Sequence, residues 1–292
     1  MRTNKVGLVM TAYNSGEYIF KSLMSVANQT VRPDLIVVDD ASTDNTMDEV
    51  MRFKEQAEYP LRFIRLPHNM GAGLAKRVGI EECRNEFITF LDSDDFLPKR
   101  AIEMFLELQG KYDADMVCGG VAKAERGEMV HDEKKHFNFF DNHVDAFKSF
   151  MSWELCNLFA NSKLIRKSIL DSVDPYSENR FEEDTDSIYK WFWKAERVVV
   201  DTTRPFYLYN IRPGSLVQSR KDAGKVKCSI DSLLKMIKFV EWNCPDATKD
   251  AMIMDLVTIE SRFKALPEEE KSLHNLREKI EEACKLLKIK IG

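Results

Sequence analysis

Along the first 125 residues, short apolar runs alternate with segments whose apolar positions recur every three or four residues. The runs at 6–11 (VGLVMT), 35–38 (LIVV), 61–66 (LRFIRL), 87–91 (FITFL) and 115–121 each read as a buried strand. Between them, 17–28, 44–57, 74–83 and 98–111 read as helices, the first with Ile19, Leu23 and Val26 on one face. Ser42 or Asp44 suits the N-cap of the second helix, and Pro98 suits the first position of the fourth. Strands apolar throughout, alternating with helices, predict an α/β fold: a mostly parallel central sheet flanked by helices on both faces.

Near Glu125 the rhythm fails. Residues 125–150 are polar and aromatic without a clear period and read as an irregular connection. Helical patterns return at 164–172 and 184–195, and strands are expected at 197–201 and 205–211. Beyond Ser219 the pattern is helical, over 225–243, 247–264 and 268–288. The expected organisation is one α/β domain over 1–219, with halves 1–123 and 124–219, followed by a C-terminal helical extension over 220–292.

The totals narrow the function classes. A net charge of −5 disfavours nucleic acid as a partner, since no basic surface is implied. The six cysteines are scattered and include no C-x-x-C, which suits reduced thiols in a cytosolic protein. The N-terminal apolar run is too short for a signal peptide, and no stretch approaches the roughly 20 apolar residues that span a bilayer. A cytoplasmic protein is expected, at most peripheral to the inner face of a membrane. His131, His136 and His143 are irregularly spaced and lack thiol partners, so they do not read as a transition-metal site. Hydrophobic packing is the expected role of the aromatics between Phe137 and Trp153, with stacking on a bound ligand's rings as the alternative.

Candidate chemistry collects where strands end. Ligands of open parallel sheets bind beyond the carboxyl ends of the strands. Here those ends read Thr11-Ala12-Tyr13-Asn14, Asp39-Asp40-Ala41-Ser42 and Asp92-Ser93-Asp94-Asp95. One Asp pair at a strand end is commonly a turn former or a cap. Two acidic clusters on one presumed rim point instead to a cation, and hard oxygen ligands suit Mg²⁺ or Mn²⁺ carrying phosphate. Tyr13 admits stacking on a nucleotide base or ordinary packing.

These segments resemble the family 2 glycosyltransferases of the A-type, nucleotide-diphospho-sugar transferase fold. The resemblance runs through MTAYNSGEYIFKSLMSVANQT, LIVVDDASTDNT, HNMGAGLAKRVGI, FITFLDSDDFLP, RFEEDTDSIYKWF and YLYNIRPGSLVQS, in family order over about residues 5–219. It implies that Thr11, Tyr13 and Asp40 hold the base, usually uracil, with Ala12 and Asp39 close by. Asp92 and Asp94 match the outer acids of the D-x-D motif, Asp92 with Ser93 towards the ribose or sugar and Asp94 on the metal. Asp95 is expected as a neighbour or helix cap. Where the family often carries Ala-Arg-Asn, this chain has Ala75-Lys76-Arg77, so Lys76 would meet the nucleotide or sugar with a different geometry.

The acidic run Glu182-Glu183-Asp184, with Asp186, admits two readings. It is either N-terminal charge complementarity of a helix or a catalytic base on that helix's inner face, since Asp184 shares helical spacing with Ile188, Trp191 and Ala195. The resemblance implies the second, with Asp184 as base and Glu183 assisting. Arg212, Ser215 and Ser219 read as a lid over the pyrophosphate or as a surface turn.

The expected activity is inverting, metal-dependent transfer of a sugar from a nucleoside-diphosphate-sugar, a UDP-sugar by the resemblance. Its acceptor would be a glycan or a lipid-linked sugar. A sugar-phosphate nucleotidyltransferase should carry a glycine-rich loop after its first strand, which TAYNSGEY lacks. A phosphoacceptor domain needs its Asp pair on the first strand. A non-catalytic nucleotide-sugar-binding or scaffold protein retaining the fold stays open at this level. The helical extension, ending in KLLKIKIG, can pack on the body, pair with a second copy or touch an anionic membrane.

Overall fold

The computed structural model describes residues 5–125, 128–130, 134–152, 159–173, 183–211 and 222–290. Strands and helices alternate first: β1 (Val6–Ala12), α1 (Ile19–Ala27), β2 (Asp34–Asp39), α2 (Thr46–Ala57), β3 (Leu61–Arg65), α3 (Ala72–Glu82), β4 (Phe87–Asp92) and α4 (Ala101–Tyr112). β1 lies between β2 and β4, β3 flanks β2, and all four run parallel. Val9, Ile36, Val38, Ile88 and Phe90 enter the core on one face, while Leu8, Met10, Leu35, Val37 and Leu91 enter the core on the other. Both faces are covered, so these strands are apolar without alternation. α3 lies close against β1, because a Cβ on Gly79 would sit 2.3 Å from Val9 Cγ1.

Two local expectations need correction. Pro98 stands before α4 rather than in it, and its carbonyl accepts from Ala101 N (2.9 Å) and Gln29 Nε2 (2.8 Å). The N-cap position of α2 is Asn45. Neither Ser42 nor Asp44 occupies it, although Asp44 accepts from Thr46 N at 3.0 Å just ahead of the helix.

The second half comprises β5 (Met116–Glu125), β6 (Glu128–Val130), β7 (Phe137–Phe140), α5 (His143–Met151), β8 (Lys163–Arg166), α6 (Lys167–Ser172), α7 (Ile188–Lys194) and β9 (Val198–Asn210). The nine strands make one sheet in the order β3-β2-β1-β4-β8-β5-β9-β7, with β6 paired to β5. The stretch read as irregular therefore contains two strands and a helix. The stretch 164–172, read as one helix, begins as β8, antiparallel to both β4 and β5. Its Leu164 and Ile165 face opposite cores, which a strand allows. The two strands expected over 197–211 are one, parallel to β5 through a register irregularity at Gly119–Val121.

The tail forms α8 (Ala223–Asn243), α9 (Asp250–Lys264), α10 (Glu268–Lys271) and α11 (Leu276–Leu287). It packs on the body: Ile230, Leu233, Ile237 and Leu256 join the same core as Phe147, Ile188 and Trp191. Among the described residues no helix is long and apolar enough to cross a membrane.

One buried ion pair ties this tail to the turn before α7. Asp186 is fully buried and receives Lys235 Nζ from α8 at 2.9 Å. Its Oδ1 has no hydrogen-bond partner, which leaves Lys235 as its compensation. Lys235→Met is expected to lower stability by about 2 kcal/mol, reduced from a fully buried pair because the lysine side chain is half exposed. Adding Asp186→Asn should recover most of the loss. Urea denaturation of the single and double variants checks this, and additive losses would contradict it.

Candidate active site

The loops after β1 and β2 are laced together. Asn14, with φ 47°, donates its N–H to Ser42 Oγ at 2.9 Å, and its own Oδ1 accepts from Thr43 N at 2.8 Å. Ser15 N donates to Thr46 Oγ1 at 2.8 Å, and Gly16 N donates to Asp44 Oδ2 at 3.0 Å. Burial opposes ionisation of Asp44, yet hydrogen bonds from Thr46 and Gly16 outweigh it and hold the carboxyl below its ordinary value. Thr11 and Ala12 are buried in this frame, whereas the Tyr13 ring is 50% exposed at the rim.

Asp39 and Asp40 have different surroundings. Asp40 Oδ1 accepts from Met70 N at 2.6 Å and Oδ2 from Gly71 N at 2.8 Å, so both oxygens hold the loop before α3. Gly71 has φ 94°, a conformation that side chains resist, which explains the glycine there. Asp39 accepts from Ser42 N at 3.2 Å and lies 3.5 Å from Arg65 Nε, but its Oδ2 makes no hydrogen bond.

At the end of β4 the chain turns tightly, Asp95 N donating to Asp92 O at 3.1 Å. Exposure alternates along this turn: Ser93 and Asp95 are buried, Asp92 and Asp94 half-buried. Ser93 Oγ meets Ser15 Oγ at 2.6 Å, joining the turn to the β1 loop. Asp95 accepts from Tyr207 Oη at 2.5 Å and from Asn210 N at 2.8 Å, so it fastens the turn to β9 and caps no helix. Burial, with Asp92 adding like charge, pushes the Asp95 carboxyl up to about 8. Burial also raises Asp92; Lys76 opposes the rise, while Asp94 and Asp184 add to it.

Those interactions show that distant segments converge. Lys76, on α3 and almost fully buried, places Nζ 3.3 Å from Glu183 Oε1 and 3.3 Å from Asp184 Oδ1. Its ammonium therefore faces the second acidic cluster. Asp184 Oδ2 accepts from Ala160 N at 3.0 Å, and Asn161 Nδ2 donates to Asp92 Oδ2 at 2.6 Å. Burial raises the Glu183 carboxyl, with Lys76 opposing and Asp184 reinforcing the shift. Helix α7 begins at Ile188, one turn later than expected. Asp184 lies in the turn before it, its carbonyl accepting from Ser187 N (3.0 Å) and Ile188 N (2.9 Å). Ile188, Trp191 and Ala195 are fully buried, and Trp191 stacks on Phe90 of β4 with centroids 6.2 Å apart.

Thus Asp92, Asp94, Glu183, Asp184 and Lys76 form one electrostatic cluster at the carboxyl end of the sheet. Asn161, Tyr207 and the Ala160 N–H belong to it as well; Tyr207 opens the YLYNIRPGSLVQS segment, whereas nothing in the sequence pattern marked Ala160 or Asn161. Glu182, Arg212, Ser215, Ser219 and His131 lie outside the described residues. His143 packs edge-on to Trp193 and lies 3.3 Å from Glu196. Among the described residues no three His, Cys, Asp or Glu side chains gather as a complete metal cage.

A family model described as Glycosyl transferase family 2 matches residues 8–176, more than half of the chain. Glycosyltransferase GlyG of Streptococcus pneumoniae serotype 4 is 26% identical over 247 residues, covering 80% of this chain and 79% of that protein. Poly(ribitol-phosphate) beta-N-acetylglucosaminyltransferase TarP of Staphylococcus aureus is 32% identical over 132 residues, 43% of this chain and 39% of TarP. This chain thus matches well under half of TarP's length. A crystal structure of S. aureus TarS residues 1–349 in complex with UDP-GlcNAc superimposes with a TM-score of 0.66 at 18% identity, covering 97% of this chain and 90% of that one. That likeness shows a shared fold.

Proposed function

This chain belongs to glycosyl transferase family 2, and we propose that it moves a sugar from a UDP-sugar donor to an acceptor hydroxyl, inverting the anomeric carbon. The observation that carries the proposal is the gathering of Asp92, Glu183 and Asp184 about the buried Lys76, at the strand ends where such sheets bind ligands. In this reading Tyr13 stacks on the base beside Thr11 and Ala12, and Ser93 and Asp92 line the path to the sugar. Asp40 holds the loop before α3 beside the base, and the buried Asp39, whose Oδ2 faces Arg65, lies next to it.

Asp184 is the base. Lys76 and the Ala160 N–H orient its carboxylate. It takes the acceptor's hydroxyl proton as that oxygen bonds to the anomeric carbon and the bond to the diphosphate breaks. Glu183 shares Lys76 and assists in holding this geometry. Positioning donor and acceptor in one cleft contributes much of the remaining acceleration.

Asp94, beside Asp92, is the residue suited to a divalent cation, Mn²⁺ or Mg²⁺. Its hard carboxylate oxygens, half-buried at the tight turn after β4, fit such an ion, which keeps water and donor phosphates as further ligands. When bound, such an ion neutralises charge on the departing diphosphate.

A thermal-shift and hydrolysis screen of UDP-, GDP- and ADP-sugars, with and without manganese, tests the proposal. UDP-GlcNAc is the first candidate because it is the ligand of the TarS structure. A UDP-sugar should raise the melting temperature and be consumed, whereas indifference to every nucleotide sugar would end the proposal. Asp94→Ala should weaken manganese-dependent UDP binding at least about tenfold. An unchanged manganese titration would remove Asp94 from the metal site.

A further inference from the structure

The short segment before β8 holds a second kind of recognition chemistry. Phe159 is 57% exposed, although it stands at the edge of the acidic cluster. Its carbonyl accepts from the fully buried Lys163 Nζ at 2.5 Å, and the next N–H, of Ala160, is held by Asp184. Its backbone is therefore fixed relative to the proposed base. Two residues on, Asn161 is 7% exposed and turns its Nδ2 to Asp92, while its Oδ1 is buried with no hydrogen-bond partner. A buried acceptor in that state is costly unless a donor reaches it.

The order of strands places this segment. Tyr13 follows β1 and Asn161 precedes β8, with β4 and its acidic turn between those strands. Two exposed rings thus stand on opposite sides of Asp92 and Asp94. With the nucleotide on the Tyr13 side, the Phe159 side is left for the acceptor. An aromatic face beside one buried polar acceptor matches a pyranose, which offers an apolar C–H face and hydroxyl donors at its rim. A polyol phosphate offers no such face, and its charge would approach Asp92, Glu183 and Asp184.

Resting on the glycosyl-transfer reading, we propose that Phe159 and Asn161 form an acceptor subsite for a neutral pyranose, with the ring stacked on Phe159 and a hydroxyl donated to Asn161 Oδ1.

The test compares the parent protein with Phe159→Ala and Phe159→Trp, each supplied with UDP-GlcNAc, UDP-glucose and UDP-galactose. One arm offers p-nitrophenyl β-glucoside, β-galactoside and N-acetyl-β-glucosaminide, a second offers ribitol 5-phosphate, and a third contains water alone. The parent should transfer to a pyranoside. The ratio of transfer to donor hydrolysis should fall about tenfold in Phe159→Ala and stay within about threefold in Phe159→Trp. An unchanged ratio in Phe159→Ala overturns the inference. So does a preference for ribitol 5-phosphate, or donor hydrolysis without transfer to any pyranoside. A parent protein that consumes no nucleotide sugar overturns the glycosyl-transfer reading itself, and this subsite with it.

Discussion

Asp184→Asn is expected to lower the rate of sugar transfer by about a thousandfold, the middle of the range for loss of a positioned general base. The substitution is nearly isosteric, and its amide oxygen can still accept from Ala160 N. What disappears is the negative charge that receives a proton and that Lys76 compensates. Lys76 keeps Glu183, so its ammonium stays paired and the turn should keep its shape. In the proposed reading the nucleotide lies on the other side of Asp92, and the UDP dissociation constant should move less than about threefold. Steady-state transfer assays with calorimetric UDP titrations separate the two effects. A variant turning over within about tenfold of the parent would place the base elsewhere, and a parallel loss of UDP binding would make Asp184 a structural residue.

Lys76→Met should cost about 3–5 kcal/mol of stability at pH 8, the scale for stripping a cation from buried carboxylates. The lysine is almost fully buried between Glu183 and Asp184, and its field also restrains Asp92. Methionine fills similar space and leaves the acids facing one another. The pH dependence has a definite sign. Burial already raises Glu183 above its ordinary value and Lys76 opposes that rise, so removing Lys76 lifts it further. Between the ordinary and the raised value, the folded protein then holds a proton that the unfolded chain has released. Stability contributed by that proton is complete below the unfolded value and is lost as pH rises through the folded one. The deficit of Lys76→Met should therefore be smaller at pH 5 than at pH 8. Urea titrations at the two pH values measure it, and equal deficits would show that Lys76 does not compensate these acids.

Much of the first half was legible in residue order alone. Unbroken apolar runs bounded by turn formers describe strands buried on both faces, and β1 to β4 follow them closely. The acidic tips were visible as clusters where each apolar run stops, although Asp39, Asp40 and Asp95 prove to be buried and are held by internal partners rather than by solvent. The spacing of Ile188, Trp191 and Ala195 likewise announced a helix with a buried face. These features depend on local periodicity, which neighbouring residues carry.

Only the assembled fold decided what each acid faces. Lys76 meets Asp184 across 108 positions of chain, Asn161 meets Asp92 across 69, and Tyr207 meets Asp95 across 112. No period within a segment records such a meeting. For the same reason β8 looked helical: Leu164, Ile165, Ile169 and Leu170 suit a helical stripe, and only the space between β4 and β5 makes the first of them a strand. Local hydrophobic order was enough to select the elements and the rim on which charge gathers. Which charges share one cation, and which backbone N–H holds the proposed base, followed from how those elements pack. Such contacts are energies of approach between remote groups, present once the chain has closed on itself.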